Sequence, residues 1–170
     1  KDTIDLAQGV KLRLYGLTST LLSGLGERDD EPGRLYLSPL QTVLNHEDDV
    51  VNLVLCHHPP VWLLDRPEVE DKINGRAMLQ FFGHEHKQRC LRDPAFMRFL
   101  AGAINPDKME SDWRPGYNLV DLDVSGTGAD RALKVRALVR QHQPVPEMFI
   151  PQMAGLNKPE WMHSISFPTR

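Results

Sequence analysis

Four of the chain's seven histidines fall in two short segments, Val54-Leu55-Cys56-His57-His58-Pro59-Pro60 and Phe82-Gly83-His84-Glu85-His86. Each segment continues from an apolar, strand-like run. Imidazole is mostly neutral near pH 7 and offers a lone pair to borderline metal ions, so histidines gathered at strand ends point to metal chemistry. On an extended backbone, residues two apart leave the same face, which would let His84 and His86 converge on one ion or on two neighbouring ions. Gly83 removes a Cβ just before them and permits a sharp turn or a close backbone approach. His57 ends the run Val50-Val51-Asn52-Leu53-Val54-Leu55-Cys56, which the Pro59-Pro60 pair stops. Loops at the carboxyl ends of strands are where open α/β sheets carry their sites.

Together the two motifs resemble the C-terminal signature of the calcineurin-like metallophosphoesterases. In that family a His-His-Pro-Pro or His-x-Pro segment follows one buried strand and a Gly-His-x-His segment follows the next core strand. The resemblance runs from Leu12 to Val139 and is specific at those two motifs. It implies metal ligation by His57, His84 and His86, with His57 and His84 on one ion and His86 on another. His58 is the remaining candidate: it touches a phosphate oxygen, fixes its neighbour, or faces away as a packing or hydrogen-bonding residue. The implied cofactors are two divalent metal ions (Mn, Fe or Zn), and the implied substrate is a small phosphate ester, with the His-His-Pro-Pro form favouring a phosphodiester. The implied fold class is α/β, part of a four-layer α/β/β/α sandwich with mixed sheets.

The family also uses an Asp-x-His, a Gly-Asp-x-x-Asp and a Gly-Asn-His-Asp or Gly-Asn-His-Glu motif, and this sequence contains none of them. The nearest look-alike, Leu44-Asn45-His46-Glu47-Asp48, has leucine where the glycine belongs, and His46 is expected on the surface. The expectation is therefore the C-terminal half of a hydrolase domain over residues 1–140, inactive alone and completed by an N-terminal half as partner. Two alternatives stand beside it. One is a non-catalytic binding or scaffold module that keeps the fold, and the other is a mononuclear zinc site of three histidines and water.

At 170 residues, 41% hydrophobic and 25% charged, the chain has the size and make-up of one globular domain. A net charge of −3 with scattered Lys and Arg gives no nucleic-acid footprint. No apolar run reaches the length of a membrane span, and the first residues do not resemble a signal peptide. Two cysteines, Cys56 and Cys90, make no disulfide framework, so a reducing, cytoplasmic setting is expected. An exposed apolar edge would invite association, leaving a homo-oligomer open.

Strands are expected at Lys11 to Leu17, Val50 to Cys56, Ala77 to Phe82, Phe96 to Ala103, Tyr117 to Val124 and Leu133 to Val139. Ser38-Pro39 opens a predicted helix whose apolar Leu40, Val43 and Leu44 pack on a sheet. Residues 21–34 read as a surface loop carrying the acidic cluster around Glu27 to Glu31, and residues 65–75 are polar and charged, an interval that in the family often holds a lid or helix of variable length. Asp121 and Asp123 share a wet strand face. Glu85 faces solvent or pairs with Lys87 or Arg89, and Trp62 lines the site or covers the core. Ser19 either reaches toward substrate or satisfies its own turn. Five prolines between Pro144 and Pro168 mark residues 141–170 as a Pro-rich tail, linker or extended arm, with surface histidines His142 and His163.

Overall fold

The computed structural model describes residues 2–21, 23, 24, 31–104 and 114–167. The acidic cluster expected at 27–30, the loop proline Pro106 and the tail's last proline, Pro168, lie outside the described residues.

Among the described residues ten strands, β1 (Asp2–Asp5), β2 (Lys11–Leu17), β3 (Val50–Cys56), β4 (Leu79–Phe82), β5 (Arg89–Asp93), β6 (Phe96–Leu100), β7 (Gly116–Ser125), β8 (Ala132–Pro144), β9 (Glu147–Pro151) and β10 (Trp161–Ser166), build two sheets. The first has the order β1-β2-β3-β4-β6-β5; β2, β3, β4 and β6 run parallel, and antiparallel β1 and β5 close its edges. The second has the order β10-β8-β7, with β9 also paired to β8. All of its pairings are antiparallel.

Strands β3, β4 and β6 are covered on both faces, and β3 is accordingly apolar nearly throughout. Leu12, Val51, Leu53, Leu79, Met97 and Phe99 point to the second sheet, meeting Val124, Leu133, Val135, Ala137 and Ile165 in one core. Alternate residues Tyr15, Leu17, Val54, Cys56 and Phe82 face the other way, onto Leu35, Leu37, Leu44, Leu63, Val69 and Ile73. Burying a side chain such as Phe99, which is 0% exposed, contributes about 1.5–3 kcal/mol. The architecture is α/β with mixed sheets, and strands dominate it.

Three expectations change. The helix predicted after Ser38 is only a 3-10 turn, Pro39–Thr42, without a side-chain cap. The Thr42 hydroxyl donates to the Pro39 carbonyl, and Leu40 and Val43 stay exposed, so no apolar face exists to extend the helix. The helix that does form is α1 (Arg66–Asn74), inside the polar, charged segment where the resemblance implies a lid or helix. It has only two buried residues, Val69 and Ile73, and a buried network fastens it to the sheet. Arg98 of β6 donates to Gln80, to Glu70 and to Asn74, each at 2.8 Å.

The boundary expected at residue 140 also disappears. Strand β8 runs through it to Pro144, and the Pro-rich stretch supplies β9 and β10, both hydrogen-bonded to β8. His142 and His163 are accordingly half-buried strand residues; His163 Nε2 lies 2.6 Å from the Asp93 carbonyl oxygen. The outer face of the second sheet carries no helix among the described residues. Asp121 is exposed there as expected, 3.2 Å from Arg136.

No helix among the described residues is long and apolar enough to cross a membrane. Cys56 and Cys90 are both free thiols.

Candidate metal centre

Parallel strands β3 and β4 end side by side, with Cys56 paired to Phe82, so the segments that follow them start next to each other. The Gly83 N–H donates to the His57 carbonyl at 2.9 Å and ties the two loops together. A Cβ on Gly83 would stand 3.4 Å from that carbonyl oxygen and 3.5 Å from His57 Nδ1, ordinary van der Waals contact, so the expected close approach is real but does not itself demand glycine.

Here the imidazoles meet. His84 Nδ1 lies 3.2 Å from His57 Nε2. The His58 ring centroid is 4.6 Å from that of His57 and 4.3 Å from that of His84. Among the described residues, His57, His58 and His84 form the one group of three metal-capable side chains, their ligand atoms within 4.8 Å of one another. His57 is exposed, His84 half-buried and His58 buried, so the group opens to solvent on one side.

This grouping differs from the sequence expectation, in which His86 was the third member with His57 and His84. The expectation rested on an extended backbone, but the loop is not extended. His84 and His86 both adopt left-handed conformations, with φ of 66° and 55°. Histidine enters that region more readily than most residues, and the coiling removes the two-residue repeat that would align the rings. His86 lies outside the group, and His58 stands within it.

Two neighbours frame the rings. Trp62 is fixed by a ladder in which Leu35 N–H donates to the Trp62 carbonyl and Leu64 N–H to the Leu35 carbonyl. Its ring meets that of His84 edge-on at 4.1 Å, and its Nε1–H donates to Glu85 Oε1 at 3.3 Å. Trp62 thus both lines the site and covers the core, and Glu85 faces Trp62 where Lys87 or Arg89 was expected. Beneath the rings, Ser19 lies 2.9 Å from His58 Nδ1 and accepts from the His58 backbone N–H at 3.2 Å. Ser19 bonds neither its own turn nor open solvent, being 1% exposed. The Cys56 thiol lies 3.3 Å from Ser19 Oγ, and burial pushes its pKa up, so it remains a neutral S–H.

His46 is exposed, as expected, and sits in a cleft with Asp49 and Arg131 before β3. That is the opposite end of β3 from His57, so His46 cannot join the histidine group. Sequence reasoning missed the link from Ser19 to His58 and the link from Trp62 to Glu85. Each joins distant positions, 39 and 23 residues apart, with no periodic signal to announce it.

The donors suit one borderline ion. Zinc at about 2.0–2.1 Å from each nitrogen in a tetrahedral site places two ligand nitrogens about 3.3 Å apart, close to the His57 to His84 separation. No carboxylate belongs to the group. A hard ion, or a second ion sharing a bridging oxygen, would need oxygen ligands beyond it.

No protein-family model matches the chain, and no curated protein matches it significantly.

Proposed function

We propose that the chain supplies the histidine-rich edge of a metal-dependent phosphoesterase centre acting on a small phosphodiester, in the manner of the calcineurin-like metallophosphoesterases. The observation that carries the reading is the 3.2 Å approach of His57 Nε2 to His84 Nδ1 at the carboxyl ends of two adjacent parallel strands. In this reading His57 and His84 hold one divalent ion, and His86, on the same loop, serves a second. A bound ion would lower the pKa of water and neutralise phosphoryl charge. The protein's part is to fix those ligands and to shield one side of the rings with Trp62. The bridging carboxylate, the remaining ligands and a second helical layer over β7 to β10 come from an N-terminal half. The free thiols of Cys56 and Cys90 are consistent with a reducing setting.

A second reading has a specific observation in its favour. The group of three imidazoles contains no carboxylate, as in a mononuclear zinc site with water in the fourth position. A scaffold without catalysis is the outcome if neither metal nor turnover is found.

The deciding experiment is hydrolysis of a phosphodiester by the protein joined to its upstream segment, with Mn²⁺ or Zn²⁺, followed by the same assay on His84→Ala. Turnover that needs metal and drops at least about a hundredfold in the variant supports the phosphoesterase. Undiminished turnover overturns it. One zinc per chain with activity in the absence of any partner favours the mononuclear site.

A further inference from the structure

The loop that carries His84 closes on itself. The Glu85 backbone N–H donates to the Gly83 carbonyl at 2.8 Å, which makes a three-residue turn with His84 at its centre, at φ of 66°. A γ-turn with positive φ is the rarer and more strained of the two γ-turn forms. Strained backbone persists where the surroundings over-determine it, and it gathers at functional sites. The contacts that hold this turn are therefore part of the site.

Trp62 touches both residues that follow Gly83. Its ring meets the His84 ring edge-on at 4.1 Å, and its Nε1–H donates to Glu85 Oε1 at 3.3 Å. On an extended backbone consecutive side chains leave opposite faces, so one indole would not reach both. The turn at His84 brings the two to one side. Trp62 is anchored apart from that loop: its backbone N–H donates to the Pro59 carbonyl at 2.9 Å, and its own carbonyl accepts from the Leu35 N–H at 3.0 Å. Relaxing the turn would part Glu85 from the indole and swing His84 off its 3.2 Å approach to His57. Glu85 itself lies outside the histidine group, and one of its oxygens is taken by the indole.

We propose that Glu85 and Trp62 are the positioning residues of the metal pair: the hydrogen bond from the indole to the carboxylate clamps the strained turn at His84 and so keeps its Nδ1 facing His57 Nε2. The proposal rests on the reading that His57 and His84 share an ion. Partners that orient a metal ligand in this way are worth about 10- to 100-fold in metal affinity. What the clamp needs from residue 85 is an acceptor oxygen, which a neutral amide also supplies.

Zinc titration of the full chain against a chelating dye tests the clamp. Glu85→Ala should weaken zinc about tenfold or more, and so should Trp62→Phe, which keeps a ring against His84 and removes the N–H. Glu85→Gln should hold zinc within about threefold of wild type, a rescue that a role for the carboxylate's charge would not show. The double variant Trp62→Phe, Glu85→Ala should lose no more than the larger single loss, because both substitutions remove the same bond. Where Glu85→Ala fails to fold, the contrast between Trp62→Phe and Glu85→Gln decides.

Wild-type affinity in Glu85→Ala and Trp62→Phe overturns the proposal, as do equal losses in Glu85→Gln and Glu85→Ala, or additive losses in the double variant. A wild-type chain that binds no zinc overturns the shared-ion reading instead. The clamp is then decided in the metal-free chain by nuclear Overhauser contacts between the His57 and His84 rings. These should be present in wild type and Glu85→Gln and lost in Glu85→Ala and Trp62→Phe. Contacts absent from wild type, or persisting in all four, overturn the clamp.

Discussion

His84 Nδ1 stands 3.2 Å from His57 Nε2 although 27 residues separate the two in sequence. Neither loop could bring them together alone. The contact follows from the parallel pairing of β3 with β4, which aligns the strand ends, and from the Gly83 N–H that bonds the His57 carbonyl. If this pair holds an ion, removing either ring should cost more than the 10- to 100-fold typical of groups that merely support a ligand. His57→Ala and His84→Ala should each weaken zinc by about a hundredfold or more in a competition titration with a chelating dye. Wild-type affinity in both variants would contradict the assignment.

The network on α1 makes stability depend on acid pH. Burial alone would raise the Glu70 carboxyl, but hydrogen bonds from Arg98 and Arg66 outweigh it and hold the group below the ordinary range. A carboxyl depressed in the folded state stabilises the protein above its unfolded pKa, and this contribution is lost as pH falls through the folded value. Glu70→Gln should therefore be less stable than wild type at pH 7, by about 2 kcal/mol or less. The gap should begin to shrink near pH 4, where the unfolded carboxyl protonates, and close once pH has fallen through the lower folded value. Urea unfolding at a series of pH values measures it, and a gap that widens in acid would refute the assignment.

Both thiols should be slow to alkylate. Burial pushes Cys90 up to about 12 and raises Cys56 as well, and the thiolate is the reactive form. Iodoacetamide at about pH 8 should label the native chain far more slowly than the guanidinium-unfolded one, in which free cysteine returns to about 8.5. Equal rates in the two states would sink the prediction.

Gly126 turns the β7 to β8 hairpin in a left-handed conformation with φ of 77°, and a Cβ there would collide with the Asp130 carbonyl oxygen. A left-handed residue with a side chain costs about 1–2 kcal/mol before any clash. Gly126→Ala should lower stability by at least about 2 kcal/mol in thermal or urea unfolding. Gly9 is also left-handed, at φ 74°, but has open space around its Cβ position, so Gly9→Ala should cost less.

Much of the sheet core could be read from local pattern. Val50 to Cys56 comes out at its observed limits because a strand buried on both faces is a nearly continuous apolar run, and Lys11 to Leu17 does so because polar and apolar residues alternate along it. Helix α1 could not be read in this way, since two apolar side chains in nine residues carry almost no period and its anchorage depends on Arg98, a residue 24 positions beyond Asn74. β9 and β10 were hidden by prolines that suggest a linker, although β9 ends on one, Pro151. At the site, His57 and His84 were legible as residues that follow strands. The exchange of His86 for His58 was not, because two positive φ angles in the loop are a property of the folded backbone.

Strand β8 has a further consequence. Along one edge it holds β10 through residues 132–137 and then β9 through residues 140–144, so two separate segments are zipped to a single rail. The connection between them passes over the surface, with Leu156 96% exposed. A protease cut near Leu156 would thus leave the trailing fragment clamped by its own ladder, and the nicked molecule should elute as one particle until denaturant releases the pieces. The same spot is where the gene could be divided to make two halves that reassemble on contact.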